Sequence, residues 1–272
     1  MVPSSTGSGS GSGTAGLCSV TLRALPAADV VAVAVRAGLT AIEWGADVHA
    51  RPDDMTGVAA VAEATAAAGL RVASYGSYLR MDEEPAEQEA VLAAAVALGA
   101  PRIRAWAGRH GSGDTDVEGR RAIVAGLRAF AARAADAGVL VGLEFHGGTL
   151  TDTVESTLQL LADTDHPAVG TYWQPPQGAP DDEALAGLAA VAPHVLAVHA
   201  FSWWPRAERH PLATRSRLWH QVAAWVAGRD RPTDVLLEFV PEDAPDAVVR
   251  DAAVLRGYLG ISPGVAAGRR SP

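Results

Sequence analysis

Short apolar, β-branched runs alternate along the chain with Ala- and Leu-rich stretches whose apolar positions recur at helical spacing. The runs cover 17–22, 41–44, 71–75, 102–106, 139–144, 169–173, 195–199 and 235–239. The first four intervening helices are expected over 26–37, 55–68, 85–98 and from a Gly-rich loop to about 137, the last helix of the chain ending near 259. Pro26 and Pro85 stand at early helical positions, and Gly38, Gly69, Gly99 and Gly138 follow the helices as stops. Eight strand–helix rounds of roughly 30 residues each are a barrel's length for one domain, so the pattern predicts a single (β/α)8 TIM barrel. A doubly wound sheet would need a Gly-rich dinucleotide turn after an early strand. Arg23-Ala24-Leu25-Pro26 offers none.

The 272 residues are 49% hydrophobic, enough for one large core, and no linker interrupts 17–260. Residues 1–16, largely Gly and Ser, read as a disordered tail, and 261–272 as a second flexible one. The N-terminus lacks the basic and apolar regions of a signal peptide, and no run is long and apolar enough to span a membrane. A formal net charge of −9 disfavours nucleic acid, whose phosphates need clustered Lys and Arg. Cys18 is the only cysteine, so no intrachain disulfide forms, and a reducing cytoplasm is the expected setting.

In such a barrel the C-terminal ends of the strands face the active site. Here those ends carry Glu43-Trp44 with His49 behind, Tyr75 to Tyr78, Arg104 and Trp106, Glu144 and His146, Trp173-Gln174 with Gln177, His199 with Trp203 and Trp204, and Glu238. Ionisable groups are rarely buried without partners, so their placement at the ends of apolar strands needs a reason. Glu144, His199 and Glu238, from strands five, seven and eight, offer carboxylate oxygens and an imidazole to one divalent cation (Mn, Mg, Co or Zn). Flat aromatic faces suit the C–H faces of a sugar ring, and polar groups fix its hydroxyls. Glu43, Trp44, His49, Arg104, Trp106, His146, Trp173, Gln177, Trp203 and Trp204 are the candidate substrate contacts. Against that reading, Arg104 and Glu43 could form a structural ion pair, and Cys18 reads as a small buried hydrophobe. Trp219 and Trp225 lie on a helix and read as core.

Several stretches resemble the xylose-isomerase-like TIM barrel superfamily, and more narrowly its sugar phosphate isomerase/epimerase branch. They are Cys18-Ser19-Val20-Thr21, the run from Ile42 to His49, Tyr75-Gly76-Ser77-Tyr78, the run from Ile103 to Gly108, the run from Glu144 to Thr151, and Tyr172-Trp173-Gln174-Pro175. The resemblance covers 17–260 and implies a metal held by Glu144, Gln174, His199 and Glu238, with Glu144 and Glu238 as catalytic residues that remove and return a proton. Gln174 departs from the pattern: an Asp-x-x-His is expected where this chain has Gln174-Pro175-Pro176-Gln177. One carboxylate fewer implies a weaker but more electrophilic metal site.

The implied activity is metal-assisted isomerisation or epimerisation of a sugar, keto-sugar or cyclitol. The alternatives are a dehydratase or lyase on a keto-sugar or keto-glycoside, and a non-catalytic sugar-binding protein. DNA repair is disfavoured by the acidic charge. A phosphorylated substrate is disfavoured by the acidic, Pro-containing loop at 241–246, with Arg206 and Arg209 as the only counterweight. The expected partner is a small sugar or polyol, with no nucleic acid and no membrane; a homo-oligomer is compatible with this reading.

Overall fold

The protein is described from a computed structural model over residues 13–262. Its strands are β1 (Gly13–Cys18), β2 (Ala41–Gly45), β3 (Arg71–Gly76), β4 (Arg102–Ala105), β5 (Leu140–Glu144), β6 (Val169–Trp173), β7 (Val195–Ala200) and β8 (Thr233–Leu237). All pair in parallel with their neighbours in sequence, and β1 pairs with β8, so the sheet closes as a (β/α)8 barrel. The helices are α1 (Ala27–Arg36), α2 (Met55–Ala67), α3 (Pro85–Leu98), α4 (Val117–Asp136), α5 (Val154–Thr164), α6 (Asp181–Val191), α7 (Ser216–Ala227) and α8 (Pro245–Tyr258). Three of them start on a side chain that accepts a backbone N–H of the first turn: Asp54 on α2, Asp116 on α4 and Thr153 on α5. Among the described residues no helix is long and apolar enough to cross a membrane.

The expected first strand is displaced. The chain is extended over Gly13–Cys18, and the buried residues Ser19–Leu22 form a 3-10 turn. Residues 13–16, expected in the tail, therefore belong to the barrel, while 1–12 and 263–272 lie outside the described residues. Gly16 has a packing reason. A Cβ there would stand 2.5 Å from Leu236 Cδ2 and 2.8 Å from the Ala41 carbonyl, so the closing seam admits no side chain at that point. Strand eight is also earlier than expected: it ends at Leu237, and Phe239 turns out of it at φ 46°.

Two layers of side chains fill the lower barrel. At the N-terminal end, Asp234 of β8 is bound by the guanidinium groups of Arg71 and Arg102, and Arg102 Nε donates to Tyr172 Oη at 2.9 Å. Above them lies a small apolar cluster of Cys18, Ala41, Ala73 and Leu236, which reaches the mouth at Val20. The main hydrophobic core lies between the barrel and its helices. This solid filling closes the barrel from below and leaves its mouth as the place for a site.

Candidate active site

Side chains alternate in and out along each strand, and that alternation sorts the candidates. Glu43, Arg104, Glu144 and His199 point inward and meet at the mouth. Trp44 and Trp173 point outward. Trp44 is fully buried and donates from Nε1 to Thr65 Oγ1 of α2 at 3.1 Å. Trp173 packs edge-on against Trp219 of α7, with ring centroids 6.4 Å apart. Neither offers a face to the mouth pocket, which corrects the expectation for both. His49 is also elsewhere: its ring nitrogens lie 3.0 Å from Ser19 Oγ and 3.0 Å from the Leu25 carbonyl, so it ties down the first loop. Trp204 is outside the pocket, with Arg215 over its ring at 5.9 Å.

The pocket has a volume of about 220 Å3. Arg104, Trp106, Glu144, His146, Gln174, Gln177, Trp203 and Glu238 line it, joined by Val20, Tyr78, Phe201 and Phe239, which the sequence candidates did not include. Val20 and Phe201 carry no chemical signal in a sequence. Tyr78 follows a strand end and could have been listed with its neighbours. The two chain segments that close the barrel also shape the pocket: the Phe239 N–H donates to Thr21 Oγ1 at 2.9 Å.

Trp106 is placed differently from a sugar platform. His146 stacks on it at 4.3 Å between centroids, Arg80 lies over it at 4.3 Å, and Tyr78 meets it edge-on. Its ring is thus already in use, and its Nε1 donates to Glu144 Oε2 at 2.6 Å. The platform closest to the expectation is Trp203, which is tilted against Phe201 at 4.5 Å and is only 9% exposed.

Buried charge dominates the site. Arg104, 2% exposed, donates from Nε to Glu43 Oε1 at 2.9 Å and from Nη1 to Glu144 Oε2. Gly76 makes room for that bridge, since a Cβ there would stand 2.9 Å from Arg104 Nη2 and 3.0 Å from Glu43 Oε1. His199 is fully buried. Its Nδ1 lies 3.1 Å from Gln174 Oε1, 3.5 Å from Glu238 Oε2 and 3.8 Å from Glu144 Oε1. Its Nε2 faces Glu43 Oε1 at 3.4 Å and has no hydrogen bond.

The carboxyl groups respond unequally. Burial pushes each one up, but Arg104 and His199 outweigh it at Glu43, lowering it to about 2, and Arg104 holds Glu144 well below the ordinary carboxylate range. Glu238 is instead pushed up to about 7, by burial and by the negative charge of Glu144. Burial would lower His199, yet Cys18, Glu238 and Glu43 together raise it well above its ordinary value.

One ligand atom each from Glu144, His199 and Glu238 lie within 4.8 Å of one another. The charge balance fits a divalent cation as well. Glu43, Glu144 and Glu238 set three negative charges against the one positive charge of Arg104, so two remain. Glu238 and His199 are both pushed towards their protonated forms, the direction that offsets this negative charge in the bare chain.

Comparison with known proteins agrees with this architecture. A stretch of 66 residues is 42% identical to a 3-dehydroshikimate dehydratase of Bacillus anthracis, spanning 24% of this chain and 24% of that protein. The structure of the probable 3-DHS dehydratase from Bacillus anthracis superposes with a TM-score of 0.74 at 20% identity, over 89% of this chain and 98% of that one. A 3-keto-D-glucoside 4-epimerase from E. coli superposes with a TM-score of 0.72 at 16% identity, over 90% of this chain and 99% of that one. At such identities the superpositions speak for the fold alone. Residues 31–232 match the sequence pattern of one family, and the chain belongs to it: the xylose isomerase-like TIM barrels.

Proposed function

We propose that the protein is a divalent-metal-dependent enzyme that moves a proton next to the carbonyl of a small sugar, keto-sugar or cyclitol, as an isomerase or epimerase. The observation that carries this reading is the convergence of Glu144, His199 and Glu238 in one buried pocket. These three would hold the cation, with the Gln174 amide oxygen beside them. When bound, the cation would supply electrostatic stabilisation for the negative charge that develops on the carbonyl oxygen.

The two carboxylates are suited to different work. Glu144 Oε2 is held by Arg104 and by the Trp106 indole, which leaves Oε1 to face the pocket. Among the described residues no side chain donates a hydrogen bond to Glu238, and its tendency to carry a proton near neutrality suits a group that must both take and give one. Trp203 and Phe239 present an apolar wall, while Gln177 and His146 can bind hydroxyls. Arg209 is engaged by Asp243 at 2.5 Å and lies over the Phe239 ring at 4.8 Å, which favours an unphosphorylated substrate. The acidic charge and the single buried thiol accord with a cytoplasmic enzyme that has no nucleic-acid partner.

A second reading has its own support. The identity shared with a 3-dehydroshikimate dehydratase favours loss of a β-leaving group after the same proton abstraction. The discriminating experiment incubates Mn2+-loaded protein with keto-sugars and with 3-dehydroshikimate in deuterium oxide. Deuterium entering recovered sugar supports the isomerase or epimerase. Formation of an unsaturated product supports the dehydratase. Neither signal, with wild-type protein that binds sugar, points to a non-catalytic binder. Metal content near one per chain, lost in the Glu144→Ala/Glu238→Ala variant, is required by both enzymatic readings.

A further inference from the structure

His199 can meet a cation with only one of its two nitrogens, and the structure separates their surroundings. The Nδ1 edge faces Gln174, Glu238 and Glu144. The Nε2 edge faces inward, towards Glu43 and the Cys18 side of the barrel. A neutral imidazole has one N–H and one lone pair, so a cation bound at Nδ1 requires the proton at Nε2. That N–H is fully buried and needs an acceptor. Glu43 Oε1, at 3.4 Å, stands a few tenths of an ångström beyond a good hydrogen bond.

We propose that Glu43 is a positioning residue: fixed by Arg104 and Ser74, it receives the Nε2–H of His199 and so presents Nδ1 to the cation. This rests on the reading of the pocket as a metal site. Glu43 is held from both oxygens, Oε1 by Arg104 Nε at 2.9 Å and Oε2 by Ser74 Oγ at 2.7 Å. The bare Cα of Gly76 leaves the space in which this bracing sits. Without it the opposite tautomer has an outlet on each side, with Nδ1–H donating to Gln174 Oε1 and the Nε2 lone pair open to the Cys18 thiol. Metal binding would then first require moving the proton. A carboxylate on the far nitrogen also makes the imidazole a more basic ligand. Glu43 thus acts on the metal through His199 and touches neither the cation nor the substrate.

Glu43→Gln is the informative substitution. It preserves the shape, but its amide N–H2 can donate to Nε2 and favour the wrong tautomer. Mn2+ affinity is measured from the paramagnetic resonance of the free ion, and the His199 tautomer from long-range 1H–15N correlations of zinc-loaded protein. The expected result is Mn2+ binding weakened by about 10- to 100-fold in the variant, with the Nε2–H signal present in the wild type and lost or shifted in the variant. Equal Mn2+ affinity in both proteins, with the Nε2–H tautomer retained, overturns the role of Glu43 and leaves the metal site standing. Wild type that binds no Mn2+ overturns the metal site and this role with it. If Glu43→Gln does not fold, Ser74→Ala replaces it. Loosening one side of the brace must weaken Mn2+ binding in the same direction, and unchanged binding overturns the proposal.

Discussion

Gln174 Oε1 lies 3.1 Å from Nδ1 of His199, the nitrogen proposed to meet the cation, and a carboxylate there would add a unit of negative charge. With Glu144 and Glu238 as the charged ligands, a divalent ion is neutralised but not over-compensated. Gln174→Asp is therefore expected to tighten metal binding by at least about tenfold, since a unit charge ~4 Å away is worth several kcal/mol at intermediate dielectric before desolvation is subtracted. Isothermal titration with Mn2+ reads this directly, and unchanged or weaker binding would sink the argument. At this scale the charged residues at strand ends were the more legible in the sequence, although His49 ties down a loop instead, and of the tryptophans only Trp106 and Trp203 line the pocket. Glu144, His199 and Glu238 stand at strand ends and declare their chemistry. Trp44 and Trp173 stand at the same ends but one residue out of phase, each beside an inward-facing neighbour, Glu43 and Tyr172. Counting by twos along each strand would have separated them. Trp106 is in phase, but its covering by Arg80 and His146 depends on loops whose course no periodicity reveals.

Strand ends matter at both mouths of the barrel. At the lower one, Asp234 of β8 is 5% exposed and pairs with both Arg71 from β3 and Arg102 from β4, joining strands on opposite sides of the barrel. Removing its carboxylate leaves the largely buried Arg102 without its counter-charge. Asp234→Ala is expected to lower the unfolding free energy by about 3 kcal/mol, measured by urea denaturation. A loss below about 0.5 kcal/mol, the scale of an ordinary surface substitution, would show that the cluster is decorative. Six of the eight strands were legible to within one residue, because a Gly stop or a turn frames each apolar run. β1 was misplaced because Gly13 to Gly16 look like a continuation of the Gly/Ser stretch. The short run after them, Leu17 to Leu22, mixes apolar residues with Ser19 and Thr21 and does not tell a strand from a turn.

For the molecule as a whole, the buried charges set a pH dependence. Glu43 is lowered to about 2, so it stabilises the fold above the ordinary carboxylate range and that contribution is lost as pH falls towards 2. His199 and Glu238 act in the opposite direction. Both hold protons more tightly in the folded chain, so their contribution is present in mild acid. It is lost as pH rises through about 7 for Glu238 and through a higher value for His199. Metal-free protein should therefore melt at a lower temperature at pH ~8 than at pH ~5.5, and added Mn2+ should recover more of the loss at the higher pH, where fewer protons must be displaced. Calorimetric scans with and without Mn2+ test this. A metal-free melting temperature that rises across that interval contradicts the charge balance of the site.

The seam between β1 and β8 joins residues 13–17 to residues 233–237. On the ribosome this pairing is unavailable until almost all of the described chain has been made, and Glu238, the last ligand of the candidate metal site, follows the seam by one residue. Until then the unpaired edges of β1 and of β7, the partner of β8, stay open to other strands, an exposure that favours association with chaperones. Closure of the barrel and completion of the candidate metal site are thus one late event in biosynthesis, so a nascent chain halted before β8 would have neither.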